Sequence, residues 1–151
     1  LSGASSDSLF KEYIGELNGV LDFKVQELLK KYAITSTVSQ EMLTQTLNHH
    51  YAHFPETYYL PTFLDNHDMD RFLFTCGNDK EKLKAAATIQ FSLPQPPIIY
   101  YGTETGMTQT TSLWGTPGTS DLLARQPMNW DTQDKELLSF YKQLIQKRIK
   151  K

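Results

Sequence analysis

Four polar side chains in a row, Asp65, Asn66, His67 and Asp68, follow a short apolar run from Tyr58 to Leu64, and a further acid and base, Asp70 and Arg71, stand just behind them. Carboxylates beside an imidazole can grip neighbouring hydroxyls by charge-assisted hydrogen bonds and stabilise a passing positive charge, and the chemistry of sugars needs both. The apolar run reads as a buried strand, and polar clusters at strand ends are where α/β folds keep their sites. Side chains alternate between two faces along a strand, so Asn66 and Asp68 share a direction with His67 only if the backbone bends. His67 and Asp68 are therefore expected on the strand's last residue and the loop that follows.

The elements that must position this cluster alternate strand and helix. Ser2 to Ser8 reads as a loop, and Leu9, Phe10 and Tyr13 as a short helical turn. The run Leu17 to Phe23 reads as a strand after Asn18-Gly19, followed by a helix with Val25, Leu28, Leu29 and Tyr32 on one face. A Thr- and Ser-rich loop ends in Ser39 as a helix cap, and Met42, Leu43, Leu47 and Tyr51 recur at helical spacing. After the strand that ends in the polar cluster, Asn78 is the expected cap of a helix with Glu81 three residues on and Leu83, Ala86, Ala87 and Phe91 facing inward. Pro94, Pro96 and Pro97 end it, and Ile98 to Tyr101 reads as the next buried strand. Gly102 to Asp131 is a long irregular excursion, of the kind that is usually functional or disordered. Asp131 or Thr132 is then expected to cap a last helix carrying Leu137, Leu138, Tyr141, Leu144 and Ile145, with basic residues in its final turns. The pattern gives three strand–helix units, with one extra helix before the middle strand.

Composition narrows the classes. A length of 151 residues suits one ordinary domain, and 15 basic against 17 acidic residues leave no footprint for nucleic acid. No window approaches a membrane span, and the first residues lack a signal peptide's pattern, so any export signal is expected outside this chain and its localisation stays open. The single cysteine, Cys76, excludes an internal disulfide and is expected to be a small buried apolar residue.

The segment Phe63-Leu-Asp-Asn-His-Asp68 resembles the strand-7 signature of the α-amylase family of glycoside hydrolases, which are retaining enzymes built on a (β/α)8 barrel. Pro97-Ile-Ile-Tyr-Tyr-Gly-Thr-Glu-Thr-Gly106 is similar to the family's strand-8 segment, and Ala124-Arg-Gln-Pro-Met-Asn-Trp130 to a stretch often found between strand 8 and the last helix. The Leu21-Asp-Phe23 ending resembles strand 6. The resemblance implies an α/β fold, an incomplete TIM (β/α)8 barrel of about three strand–helix units with parallel strands, with residues 1–151 as the C-terminal portion of the catalytic barrel. An ordinary barrel of this type needs about 250 residues.

By the same resemblance, Asp68 is the transition-state-stabilising acid and His67 binds the sugar ring, with Asn66, Arg71 and Tyr101 as further substrate-binding candidates. The implied substrate is an α-glucan or oligosaccharide. The family's nucleophilic Asp and acid/base Glu belong to strands 4 and 5, which are not recognisable here, so the isolated chain is expected to be inactive. It is also expected to pair with the remainder of the barrel or to self-associate through its open sheet edges. The other reading is a non-catalytic relative serving as a scaffold or interaction domain. No cofactor is implied, and calcium, common in the family, is expected only outside this segment.

Several residues carry plainer readings. Tyr13-Ile-Gly-Glu-Leu17 superficially resembles the motif of the acid/base Glu, but only five residues separate Glu16 from Asp22, too few for a strand, a helix and their turns. His49 and His53 have the i, i+4 spacing of zinc ligands, yet a solvated helix face is the simpler expectation, so no metal site is assigned. Arg71 is expected to make a structural ion pair more readily than to touch substrate, and Glu104 to give hydrogen-bonding support rather than to catalyse. Trp114, Trp130, Tyr100 and Tyr101 could stack on sugar faces, with core packing as the default for large aromatics.

Overall fold

The computed structural model describes residues 10–114 and 121–150. Its helices are α1 (Phe23–Lys30), which runs on into a wider turn over Lys31–Thr35, α2 (Gln40–Tyr51), the short α3 (Phe72–Thr75), α4 (Lys80–Ser92) and α5 (Lys135–Ile149). Each main helix starts on a side-chain oxygen that accepts a backbone N–H otherwise without a partner in the first turn. Asp22 accepts from Val25 to start α1, and Ser39 accepts from Met42 to start α2 as expected. Asp79, not Asn78, caps α4 by accepting from Glu81 and Lys82. Asn78 instead takes a left-handed φ of 62°, which Asn tolerates. Asp134, not Asp131 or Thr132, caps α5 by accepting from Leu137. Asn129 holds the N–H groups of Asp131 and Thr132 in a turn just ahead of it.

The three expected strands are extended segments lying side by side in parallel, around residues 18–22, 58–64 and 96–101. Among the described residues they are joined by isolated bridges, Gly19 to Tyr59 and Thr62 to Pro97, rather than by regular ladders. Proline explains much of this. Tyr59 donates to the Asn18 carbonyl, Val20 donates to Tyr59 and Asp22 donates to Pro61, but Pro61 has no N–H with which to continue the alternation. The Leu60 N–H is taken by the Gln95 side chain, and the Gln90 amide reaches the carbonyls of both Thr62 and Ile98, so side chains stand in for ladder bonds. Gly19 is required at the first crossing, since a Cβ there would overlap the Tyr59 carbonyl.

Helices cover one face of these segments. Val25 and Leu29 of α1, Leu43 and Leu47 of α2, Leu83, Ala86, Ala87 and Phe91 of α4, and Leu137, Tyr141 and Leu144 of α5 close a continuous core over Leu64, Phe72 and Cys76. Arg148 locks α5 to the end of α4 by donating to the carbonyls of Phe91, Leu93, Pro94 and Gln95, groups that the helix end would leave bare. Away from this core Leu17, Leu21, Tyr59 and Ile98 remain exposed. The loop expected over Ser2 to Ser8, and Leu9, lie outside the described residues; Phe10 begins a turn in which Tyr13 donates back to its carbonyl. No helix among the described residues is long and apolar enough to cross a membrane.

Candidate active site

The polar cluster sits where the middle extended segment ends, and its members divide by burial. Asp65 is fully enclosed, accepting hydrogen bonds from the Phe72 N–H at 2.8 Å and the Thr103 hydroxyl at 2.7 Å. Burial pushes its carboxyl above the ordinary range and nearby Glu104 adds to that, against those two hydrogen bonds and the Arg71 charge. Asp65 thereby ties the end of the middle segment to the start of α3 and to the turn that ends the third segment.

Directly after Asp65, the backbone bends. The Asn66 side-chain oxygen accepts the Asp68 N–H at 2.8 Å, a local turn that Asn forms readily, and it carries His67 and Asp68 outward together. His67 Nε2 lies 3.2 Å from Asp68 Oδ2, with the two side chains 58% and 65% exposed. Arg125 completes the group, its Nη2 donating to Asp68 Oδ1 at 2.9 Å and its Nε to the His67 carbonyl at 3.1 Å. Each carboxylate oxygen of Asp68 thus has one partner and retains lone-pair capacity facing solvent.

Arg71, a candidate for substrate contact, is instead completely buried. Its Nη1 donates to the Tyr101 carbonyl, and its guanidinium stacks on the rings of Tyr100 and Tyr101, 4.3 and 4.8 Å from their centroids. Burial raises the Tyr100 hydroxyl to about 12, so it stays protonated, and it donates to the Ala124 carbonyl. Tyr101 is partly exposed and donates its hydroxyl to the Gln126 carbonyl. The two tyrosines therefore hold the segment that delivers Arg125. Among the described residues this stacked arrangement, rather than the expected ion pair, holds Arg71. The expected support from Glu104 is not seen at its Oε2, which is buried without a hydrogen-bond partner among the described residues.

Asp70 is engaged by the loop after the third segment. Its carboxylate accepts from Gln109 Nε2 at 2.6 Å, Ser112 Oγ at 2.7 Å and the Leu113 N–H at 2.8 Å, holding the loop after the third segment. Trp114 and Trp130, assigned by default to the core, are 78% and 75% exposed. Of the long excursion, residues 115–120 lie outside the described ones.

Sequence reasoning passed over two residues. Arg125 lies inside a quoted motif but 57 positions from Asp68, and nothing in the spacing signals the contact. His50, next in sequence to His49, is buried, with Nε2 3.0 Å from Asp22 Oδ2. His53 Nδ1 faces the His49 carbonyl at 2.6 Å, and no group of three or more metal-ligating side chains occurs among the described residues.

A family profile described as the alpha amylase catalytic domain matches residues 5–143. Alpha-amylase 2 of Dictyoglomus thermophilum is 34% identical over 140 residues, 91% of this chain and 25% of that protein. Neopullulanase 2 of Thermoactinomyces vulgaris is 31% identical over 88% of this chain and 22% of its own length. Among solved structures, a cyclomaltodextrinase superposes with a TM-score of 0.83 at 25% identity, covering 98% of this chain and 24% of that one. The chain thus spans about a quarter of the length of these relatives.

Proposed function

The chain belongs to the α-amylase catalytic-domain family and is a TIM-barrel fragment, and from that premise we propose that it supplies strands 6 to 8, the C-terminal part, of a retaining glycoside hydrolase acting on α-glucosidic bonds of starch-like glucans or oligosaccharides. The observation that carries this reading is the outward-facing His67–Asp68 pair, fixed by Asn66 and Arg125 yet open to solvent.

In this reading Asp68 accepts hydrogen bonds from the hydroxyls of the sugar at the cleavage point. As that ring gains oxocarbenium character, a fixed carboxylate beside it interacts more strongly than in the ground state, which lowers the barrier rather than merely tightening binding. Arg125 fixes the carboxylate's orientation in advance, and His67 binds the same ring. The nucleophilic Asp and the acid/base Glu that a retaining mechanism needs, about 5 to 5.5 Å apart, come from strands outside these segments. The isolated chain is accordingly inactive, and Leu21, Tyr59 and Ile98 belong to the face that the rest of the barrel covers.

The test is to follow maltoheptaose cleavage by the full-length protein with proton NMR of the anomeric centre. Release of the α-anomer first, with loss of hydrolysis in Asp68→Asn, is expected. Release of the β-anomer first, full activity in Asp68→Asn or no hydrolysis by the wild type would overturn the reading.

A further inference from the structure

The turn that carries His67 and Asp68 is a loop with a closed base. It leaves the middle segment at Asp65 and enters α3 at Phe72, and the Asp65 carboxylate spans the gap by accepting the Phe72 N–H at 2.8 Å. That N–H is one of the donors a helix start leaves without a partner. Arg71, standing at the cap position, has no acceptor in its side chain, so the acceptor comes from a residue seven positions before Phe72. The other oxygen of Asp65 accepts the Thr103 hydroxyl at 2.7 Å, which ties the same base to the turn after the third segment. Asp65, Phe72 and Thr103 are 2%, 1% and 2% exposed, so water does not compete for these bonds, and chain packed outside them leaves that burial in place. The returning limb is held as well, with the Arg71 N–H donating to Gln109 Oε1 at 2.8 Å. Arg125 sets how the Asp68 carboxylate is turned, whereas the closed base sets where residue 68 stands. A displacement of about 1 Å at a reacting centre can cost about 10²-fold in rate.

We propose that Asp65 is a positioning residue for the reaction: by closing the base of the loop 66–71 against α3 and the third segment, it fixes where Asp68 meets the sugar. This rests on the glycosidase reading of the site. Asp65 touches no substrate, and its effect on rate passes through Asp68.

The experiment measures kcat and KM for maltoheptaose in the full-length protein carrying Asp65→Ala, Asp65→Asn or Thr103→Val, each with Asp68 intact and in the Asp68→Asn background. With Asp68 intact, Asp65→Ala is expected to lower kcat about 100-fold and to change KM less than about threefold. Asp65→Asn should recover most of that loss, since its amide oxygen can accept the Phe72 N–H while its NH2 donates to the Thr103 hydroxyl. In the Asp68→Asn background, Asp65→Ala should lower the residual kcat less than about threefold, because the carboxylate it positions is gone. An equal fractional loss in both backgrounds, or unchanged kcat in folded Asp65→Ala, overturns the proposal. Should Asp65→Ala fail to fold, Thr103→Val decides in its place. A loss of about threefold in kcat confined to the protein with Asp68 intact supports the proposal, and an equal loss in both backgrounds, or none, overturns it. Amide hydrogen exchange separates this inference from the reading beneath it. Hydrolysis that depends on Asp68, with unchanged exchange at residues 66–72 in Thr103→Val, keeps the glycosidase reading and sinks the closed loop, whereas a wild type that hydrolyses nothing sinks both.

Discussion

Two Asp–His pairs lie among the described residues, and they have nearly the same geometry. In one, His50 Nε2 lies 3.0 Å from Asp22 Oδ2 with both side chains at most 1% exposed; in the other, His67 Nε2 lies 3.2 Å from Asp68 Oδ2 with more than half of each side chain open. Surroundings, not distance, separate their tasks. Asp22 spends its second oxygen on the first turn of α1, and His50 packs edge-on against Phe54, so the pair ties the extra helix α2 to the end of the first extended segment. Asp68 has its second oxygen held by Arg125 at the rim and remains available to a ligand. A buried pair with every oxygen engaged is structural cement; an exposed pair held from behind keeps its polar atoms open to solvent.

The largest effect expected from breaking this contrast is at the open pair. Asp68→Asn in the complete enzyme should lower kcat by about 10³-fold, the scale for removing a group aimed at transition-state charge, while leaving the denaturation midpoint almost unchanged. At the closed pair the pattern should invert. His50→Ala strands the Asp22 carboxylate without water and should cost about 3–5 kcal/mol in chemical denaturation, with kcat per folded molecule retained.

How much of this could be read from the sequence follows the same division. Asn66, His67 and Asp68 are contiguous, so the polar cluster stands out as a short string, and the helices show through the apolar periodicity of residues such as Leu83, Ala86, Ala87 and Phe91. The Asp22–His50 contact joins residues 28 apart on different elements, and Arg125 reaches Asp68 across 57; no local pattern encodes either. The three strands are seen as parallel extended segments joined by isolated bridges, because apolar runs report burial, whereas a regular ladder also needs N–H groups, which Pro61, Pro96 and Pro97 lack. Caps were misplaced by one residue at Asn78 and by two or three at α5, because Asp, Asn and Thr neighbours are all competent and only the chain's approach selects among them.

Smaller effects sharpen the comparison. Arg125→Ala should reduce kcat about tenfold, the scale of one charge-assisted hydrogen bond, by freeing the Asp68 carboxylate to rotate, with little change in stability. Asp134 supplies a control far from both pairs. Its hydrogen bond from the Leu137 N–H, and then Lys80, hold its carboxyl below the usual range. A lowered folded value means that the stabilisation is present above the unfolded pKa of about 4 and is lost as the pH falls through the folded one. Asp134→Ala should therefore cost about 1 kcal/mol at pH 7, and the difference from wild type should shrink on acidification toward pH 2, as read by urea titration at each pH. Least of all should happen at Cys76, whose thiol is buried and raised to about 12, so it should resist alkylation at pH 8 until the protein unfolds.

The most direct test of the account is maltoheptaose hydrolysis by the 151-residue chain, alone and after addition of the preceding part of the barrel. No hydrolysis is expected from the chain alone, activity once the two parts assemble, and loss of that activity in Asp68→Asn. Hydrolysis by the isolated chain, or silence from a demonstrably assembled pair, would contradict it.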